Sequence, residues 1–298
     1  MKNNFSKNII SFSLWGDSPF YNVGAIRNAE AAQIHFQGWV CRYYIGPSTP
    51  NSTIEQLKTY DNTEVIMMEE DEGWDGMFWR FYAMTDPEVG VMISRDVDCR
   101  LTNRDAHAVN EWLQSGKAVH IMRDHPMHGE PIMGGMWGCR TKELCSIIYR
   151  IIYEPQGLEK PKHIKEVIAH WLMAEKVKTS EGGFDCIPLT LYNNHGIDQK
   201  FLRNIVYRTS YKNDTWIHDS FPQYNGWSGR FQEQIVPGTK EQNTGFPTMR
   251  LDWNDFIGQI YFEDDTPNEE SAEYLRQRDE CIYMDYPKHD KESNEKSD

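Results

Sequence analysis

Short apolar runs alternate with helical stretches through much of the chain. Residues 9–14 (IISFSL) and 39–45 (WVCRYYI) have the pattern of strands, and residues 24–36 between them have apolar and small residues at helical spacing. This alternation is typical of α/β architecture. The predicted strands are residues 9–14, 39–45, 64–68, 89–94, 118–122 and 189–192, and the predicted helices are residues 24–36, 53–60, 78–84, 104–115, 141–153, 163–176 and 198–207.

The chain has 298 residues, with no internal repeat and no clear linker. A chain of this length can bury a substantial core. Residues 1–285 are therefore predicted to form one domain, which becomes loop-rich from about residue 222. Residues 222–250 have many Gly, Pro, Gln and Asn, which is typical of a lid or substrate loop. Residues 286–298 are charged and low in apolar residues, which predicts a disordered tail.

The balance of charge excludes two classes of partner. Lys and Arg number 31 and Asp and Glu 45, a formal net charge of −14. Such a chain is unsuited to binding nucleic acid or an anionic membrane surface. Phosphate-bearing ligands stay possible because a divalent cation can supply positive charge locally. No apolar run predicts a signal peptide or an integral membrane segment, and the six Cys form no CxxC pair, so a cytoplasmic location is expected.

Two carboxylates follow one predicted strand directly. The apolar run VGVMIS at residues 89–94 continues into Arg95, Asp96, Val97 and Asp98. Residues two apart in an extended chain point to the same side, and open α/β sheets bind ligands at the carboxyl ends of strands. A hard divalent cation relieves the repulsion between adjacent carboxylates. Asp96 and Asp98 are therefore predicted metal ligands that could hold a nucleotide diphosphate, with a solvated turn as the alternative.

The run FWRFYAMTDPEVGVMISRDVD, residues 78–98, resembles the segment that precedes the DxD motif in glycosyltransferases of the GT-A fold. The resemblance implies an α/β fold with a mixed central sheet flanked by helices. It also implies that Asp96 and Asp98 hold Mn²⁺ or Mg²⁺, which holds the pyrophosphate of a nucleotide sugar. Arg80, and Arg95 with it, would lie near the phosphates. A structural ion pair is the alternative for Arg80.

The end of the first predicted strand is similar to the same family. In GT-A enzymes the loop after this strand meets the nucleoside base and ribose. The resemblance therefore assigns donor binding to Ser13, Leu14, Trp15, Tyr21 and Arg27. Packing in the interior is the alternative for Trp15 and Tyr21.

The block HIMRDHPMHGEPIMGGMWG, residues 120–138, contains Gly134, Gly135 and Trp137. Glycines permit close approach of the backbone to a ligand, and a Trp offers an apolar face to a sugar ring. The block is similar to the turn of small residues that lies beneath the donor sugar in GT-A enzymes, and the resemblance assigns donor binding to these three residues.

The same block allows a different interpretation. Asp124, His125 and His128 could be zinc ligands, which would indicate a hydrolase. The Asp-His-Pro run is incompatible with a helical H-E-x-x-H motif, so this is the minor alternative.

Asp198 and Gln199 open a predicted helix and resemble the D-Q pair of family 8-type retaining glycosyltransferases. There the Gln lies near the anomeric carbon and the Asp binds the sugar or the acceptor, which implies retention of anomeric configuration. Inversion would need a carboxylate base, for which Asp124, Asp198 and Glu130 are candidates. Asp198 could also be a helix N-cap.

His218 follows a strand-like stretch in DTWIHDSFP, residues 214–222. Its position resembles that of the third metal ligand in family 8-type enzymes, and imidazole suits Mn²⁺. The H-x-x-G-x-x-K-P-W signature of that family is absent, so residues 224–230 and Lys240 would have to supply its phosphate contacts. Asp219 is the alternative ligand.

Taken together, the sequence predicts a metal-dependent glycosyltransferase, a hexosyltransferase that uses Mn²⁺ or Mg²⁺. It would move a sugar from a nucleotide diphosphate sugar, with UDP as the expected nucleotide, to a carbohydrate or other hydroxyl acceptor. One alternative is a sugar nucleotidyltransferase or pyrophosphorylase, although SLWGDSPF lacks the Gly-rich phosphate loop of such enzymes. The other alternative is a carbohydrate-binding protein without catalysis.

Overall fold

One sheet organises the described part of the protein. The computed structural model describes residues 6–69, 74–162, 164–171, 196–221 and 243–283. Within these residues eight strands pair in the order β3-β2-β1-β4-β6-β5-β7-β8. The strands are β1 Lys7–Leu14, β2 Val40–Ile45, β3 Thr63–Met67, β4 Val89–Ser94, β5 Val119–Arg123, β6 Trp137–Arg140, β7 Thr215–Asp219 and β8 Asn243–Thr244. Strand β6 runs antiparallel to β4 and β5, whereas every other pair is parallel.

Helices connect most of the strands. The α-helices are α1 Pro19–His35, α2 Asn51–Lys58, α3 Asn103–Ser115, α4 Thr141–Ile148, α5 Ile197–Phe201, α6 Arg208–Ser210 and α7 Glu269–Tyr283. Helices of other types are the 3₁₀ segments Trp74–Thr85 and Glu154–Gln156 and the π-helical segments Tyr149–Tyr153 and Leu202–Tyr207; residues 164–171 are also helical. In the described part of the chain, none of these helices combines the length and the apolar character that crossing a bilayer requires.

Apolar layers cover both faces of the sheet. Along β1, Ile10, Phe12 and Leu14 belong to the layer that contains α1, α2 and α3. Ile9 belongs to the opposite layer, where Phe81 of the 3₁₀ helix packs together with residues of α4 and α5. This division follows from the alternation of side chains along a strand. The predicted α/β class, with a mixed central sheet flanked by helices, is confirmed.

Several local elements differ from prediction; the predicted helix 78–84, for example, is the 3₁₀ segment Trp74–Thr85. Trp137–Arg140 is strand β6 rather than the end of a glycine turn. It has four residues and no alternation of apolar and polar positions, so its pairing with β4 and β5 decides its conformation. Helix α7 was not predicted. The predicted strand 189–192, the greater part of the predicted loop 222–250 and the tail 286–298 lie outside the described residues.

Candidate active site at the end of strand β4

A cavity of about 520 Å³ opens where β1 and β4 end. The two strands are parallel neighbours, so their carboxyl ends lie at the same edge of the sheet. The predicted site residues that line the cavity are Ser13, Leu14, Trp15, Tyr21, Arg80, Asp96, Asp98, Gly134, Gly135, Asp198 and Gln199. Segments that are far apart in sequence therefore meet at one cavity.

The acidic group in this cavity follows β4. Ligand atoms of Asp96, Asp98 and Cys99 all lie within 4.8 Å of one another. Burial, followed by the negative charge of Asp96, raises the pKa of Asp98 to about 6. Two neighbouring carboxylates are oxygen donors suited to a hard divalent cation, so this donor set fits Mn²⁺ or Mg²⁺.

Arg80 connects the acidic group to α5. The buried guanidinium donates from Nη1 to Asp96 Oδ1 and from Nη2 to Asp198 Oδ2, the latter at 2.9 Å. Burial alone would lower the pKa of Arg80, but the charges of Asp96 and Asp198 raise it. The Arg80 backbone N–H also donates to Ser13 Oγ at 3.0 Å. Arg80 thus fixes the relative positions of the ends of β1 and β4 and the start of α5.

Two glycines let the backbone pass directly against these charged groups. A Cβ on Gly134 would overlap Arg80 Nη2 and would lie 2.7 Å from Asp198 Oδ2. A Cβ on Gly135 would overlap the carboxylate of Asp96. Both positions therefore require glycine for the observed packing.

The start of α5 brings Asp198 and Gln199 to the cavity. Asp198 is 1% exposed, and its carboxylate is held by Arg80. The Oε1 atom of Gln199 is buried and has no hydrogen-bond partner among the described residues. Phe201 anchors the helix, since its ring packs against Phe78 at a centroid distance of 5.8 Å. An unpaired buried carbonyl oxygen in a cavity wall is suited to a ligand that supplies a hydrogen or a positive charge.

Two aromatic side chains line the cavity near the end of β1. The ring of Trp15 packs edge-on against Trp79 and lies beside Gly76, where a Cβ would be 3.2 Å from it. Tyr21 is 43% exposed. Loss of solvent and then the charges of Asp98 and Asp96 raise its pKa. Both rings are available to an aromatic ligand such as a nucleobase.

Some predicted donor-binding residues lie outside this cavity. Arg27 is exposed and pairs with Glu30 at 2.9 Å. Arg95 points away from the cavity and makes a two-pronged buried ion pair with Asp105, at 2.8 and 2.7 Å. Trp137 is fully buried in the core as part of β6. The structure thus gives Arg95 and Trp137 structural contacts in place of the predicted ligand contacts.

Asp124 also lies outside the cavity, and it is completely buried. Its carboxylate accepts from Arg104 at 2.6 and 2.8 Å, from Ser220 Oγ at 2.6 Å, from Arg250 at 3.0 Å and from the Ile257 N–H at 3.0 Å. Burial alone would raise the pKa of Asp124, but Arg104 and Arg250 hold it below its usual value. A carboxylate engaged in this way is a structural anchor and is poorly suited to accept a proton from a substrate.

His218 lies in a different cluster from the two aspartates. Its Nδ1 is 2.8 Å from His120 Nε2, and its Nε2 is 3.0 Å from Glu111 Oε2. Burial lowers the pKa of His218, and Glu111 opposes this effect. His218 does not line the cavity, and both of its ring nitrogens have protein partners. The structure therefore does not bring His218 to the group of Asp96, Asp98 and Cys99.

The proposed zinc ligands do not assemble either. His125 Nε2 bonds Ser271 O at 2.9 Å, and its Nδ1 accepts from the Met127 N–H at 3.1 Å. His128 Nδ1 accepts from the Asp124 N–H at 3.2 Å. Among the residues that the structure describes, the group of Asp96, Asp98 and Cys99 is the one with metal-ligand geometry.

Sequence reasoning did not place several residues of the cavity wall in this site, although it named His128 as an alternative zinc ligand. They are Met77, Val97, Cys99, His128, Met133, Met136, Gly196, Gly258 and Ile260. Cys99 directly follows Asp98 in sequence, and this adjacency was an available signal. Gly258 and Ile260 come from the C-terminal region and had no such signal, because only tertiary contacts bring them to β4.

No protein-family model matches the chain, and no curated protein matches it significantly in sequence. The glycosyltransferase GlyE of Streptococcus pneumoniae is similar in structure, with 13% identity over 96% of this chain and 66% of that chain, at a TM-score of 0.43. Mouse xyloside xylosyltransferase 1 is similar with 11% identity over 82% of this chain and 99% of that chain, at a TM-score of 0.37.

A third solved structure is 4-diphosphocytidyl-2C-methyl-D-erythritol synthase of Anaerococcus prevotii. It has 9% identity over 48% of this chain and 74% of that chain, at a TM-score of 0.35.

Proposed function

We propose that the protein is a metal-dependent glycosyltransferase that moves a sugar from a nucleotide diphosphate sugar, a UDP-sugar, to a hydroxyl group of a glycan or other acceptor. The observation that carries the proposal is the convergence of Asp96, Asp98 and Gln199 on one cavity at the carboxyl end of β4. Open α/β sheets bind their ligands at this edge. A cavity of about 520 Å³ is within the range of small-molecule sites.

In this proposal Asp96 and Asp98 hold Mn²⁺ or Mg²⁺. The cation would act as a Lewis acid that stabilises the negative charge of the departing nucleoside diphosphate. His218 is left out of the metal set because its ring nitrogens bond His120 and Glu111. Trp15 and Tyr21 would contact the nucleoside.

Arg80 and Gln199 have separate tasks. Arg80 orients the carboxylates of Asp96 and Asp198, with which it forms buried ion pairs. The unpaired Oε1 of Gln199 would face the positive charge that develops at the anomeric carbon, where a fixed dipole is most effective. We propose retention because, of the carboxylates considered as bases for inversion, Asp198 alone lines the cavity and it is paired with Arg80.

A thermal-shift panel tests this function. UDP, GDP, UDP-glucose, UDP-galactose and GDP-mannose are added with and without Mn²⁺ to the wild type and to the double variant Asp96→Ala/Asp98→Ala. We expect a UDP ligand to raise the melting temperature only with Mn²⁺, since a ligand that binds the native state stabilises it by mass action. The double variant should lose this shift.

The matched control is Glu55→Ala/Asp61→Ala, which removes two exposed carboxylates outside the cavity and should keep the shift. A nucleotide shift that persists in Asp96→Ala/Asp98→Ala would overturn the metal assignment. Product analysis then separates the enzyme classes. Transfer of sugar with retained anomeric configuration supports the proposal, whereas exchange of pyrophosphate would indicate a nucleotidyltransferase. Sugar binding that depends on neither metal nor nucleotide would indicate a carbohydrate-binding protein.

A further inference from the structure

His128 lines the cavity but has no part in the function proposed above. It belongs to the turn between β5 and β6, on the wall that also contains Met136 and Gly258. Its Nδ1 accepts a hydrogen bond from the backbone N–H of Asp124, at 3.2 Å. Its Nε2 has no hydrogen bond to any residue that the structure describes.

The bond to Asp124 determines which ring nitrogen carries the proton. A backbone N–H can only donate, so Nδ1 must offer its lone pair and the neutral ring must carry hydrogen on Nε2. A nitrogen that carries hydrogen cannot coordinate a metal. Burial also lowers the pKa of His128 to about 3, so the ring is uncharged at neutral pH. His128 therefore offers the cavity one uncharged N–H donor.

The backbone of Gly258 fixes the position of this donor. A Cβ on Gly258 would lie 3.2 Å from His128 Cε1 and 3.3 Å from Nε2, so the free edge of the ring lies directly beside the glycine. Two residues further on, Ile260 forms a bridge with Cys99, and the Tyr261 N–H donates to Asp98 O at 2.9 Å. These contacts connect the His128 side of the cavity to the segment that contains Asp96 and Asp98.

We propose that His128 Nε2–H donates a hydrogen bond to an oxygen of the bound nucleotide sugar, on the side of the cavity next to Asp98. The acceptor is either a phosphate oxygen or a sugar hydroxyl. His128 is then a binding and positioning residue. It does not transfer a proton. This inference rests on the proposed function, because it takes a nucleotide sugar as the ligand.

The test is calorimetric binding of UDP and UDP-glucose in the presence of Mn²⁺. The variant His128→Asn is informative because Asn Oδ1 can still accept from the Asp124 N–H, whereas the shorter side chain no longer reaches the position of Nε2. We expect its Kd to rise about 10-fold, which is the scale of one hydrogen bond to a charged or polar ligand group. Weaker binding of both ligands by His128→Asn identifies a phosphate oxygen as the acceptor. Weaker binding of UDP-glucose alone identifies a sugar hydroxyl.

The matched control is His107→Asn, since His107 is exposed on α3 outside the cavity and should leave Kd unchanged. If the wild type binds neither ligand, the proposed function fails. If the wild type binds with Mn²⁺ and His128→Asn binds equally well, the function stands and the inference about His128 is overturned.

A second measurement needs no substitution. Long-range ¹H–¹⁵N NMR spectra of the histidine rings report which nitrogen carries hydrogen. We expect His128 to carry hydrogen on Nε2, and we expect this nitrogen signal to shift when UDP or UDP-glucose is added with Mg²⁺, which is diamagnetic and does not broaden the spectrum. A ring with hydrogen on Nδ1, or an Nε2 signal that does not change on saturation, would overturn the inference even if His128→Asn does not fold.

Discussion

Gly135 shows how strongly the site depends on single residues. The carboxylate of Asp96 occupies the space that a Cβ at position 135 would need. Gly134 is similarly confined by Arg80 and Asp198. At neither position is the backbone in the left-handed region, so steric contact and not backbone torsion selects glycine. The residues that make the site possible therefore include two that have no side chain.

Replacing Gly135 with alanine should disrupt the metal site without unfolding the protein. The added methyl group displaces Asp96, and overpacking of this kind typically costs about 1–3 kcal/mol. We expect the Mn²⁺-dependent affinity for UDP to fall about 10-fold or more in calorimetry, while circular dichroism stays unchanged. Gly245→Ala is the control, because a Cβ at position 245 has open space and its φ is not positive. Equal UDP affinity in both variants would show that Asp96 is not a ligand.

At the scale of elements, Asp124 joins parts of the chain that the sheet alone does not connect. It follows the end of β5, and it accepts from Arg104 at the start of α3 and from Ser220 after β7. Its bonds to Arg250 and to the Ile257 N–H hold the segment before α7 against the sheet. That segment continues to Gly258, which lines the cavity. Asp124 thus holds a segment of the cavity wall in place, although Asp124 does not itself line the cavity.

Asp124→Asn should therefore lower stability. Removing one partner of a buried ion pair leaves charge uncompensated, and the free energy of unfolding should fall by about 3–5 kcal/mol in chemical denaturation. Glu130→Gln is the control, since Glu130 is partly exposed and 3.7 Å from Arg203, a pair expected to contribute about 0–1 kcal/mol. If Asp124 were instead a general base, Asp124→Asn would keep its stability and lose turnover alone.

At the scale of the whole molecule, histidines that are buried in the neutral form make stability depend on pH. His120 is completely buried, and its Nε2 bonds His218 Nδ1 at 2.8 Å. Burial, and then the charges of His218 and Arg95, lower the pKa of His120 well below its usual value. Burial also lowers the pKa of His218, against the opposing effect of Glu111. The folded state therefore binds fewer protons than the unfolded state at mildly acid pH.

The sign of the effect follows from linkage. When folding lowers a histidine pKa, stability is unaffected by this histidine above its unfolded-state pKa of about 6.5. As pH falls below this value, the unfolded state binds a proton that the folded state does not, and stability is lost. We expect the free energy of unfolding, measured by denaturant titration, to decrease below about pH 6.5 by up to about 1.4 kcal/mol per pH unit for each such histidine. His120→Gln should reduce this slope, and an identical slope in the variant would contradict the assignment.

Local patterns made part of the site predictable. The apolar run of β4 followed by Asp96 and Asp98 identifies a buried strand and the two carboxylates beyond it. The D-Q pair identifies the start of a helix. Arg95 was predicted near the phosphates, and alternation along an extended chain explains why it instead points away from Asp96, since neighbouring side chains point to opposite sides. The single domain over residues 1–285 and the assigned roles of the site residues stay predictions.

By itself, the sequence determined the α/β class, because strand and helix periodicities are local properties of the chain. It also determined the placement of a carboxylate pair at a strand end. Only the tertiary structure decided that Trp137 is in the core, that Asp124 is an anchor, and that His128 lines the cavity while His218 bonds Glu111. These outcomes depend on contacts between segments far apart in sequence, and residue type and spacing do not encode which partners burial will bring together.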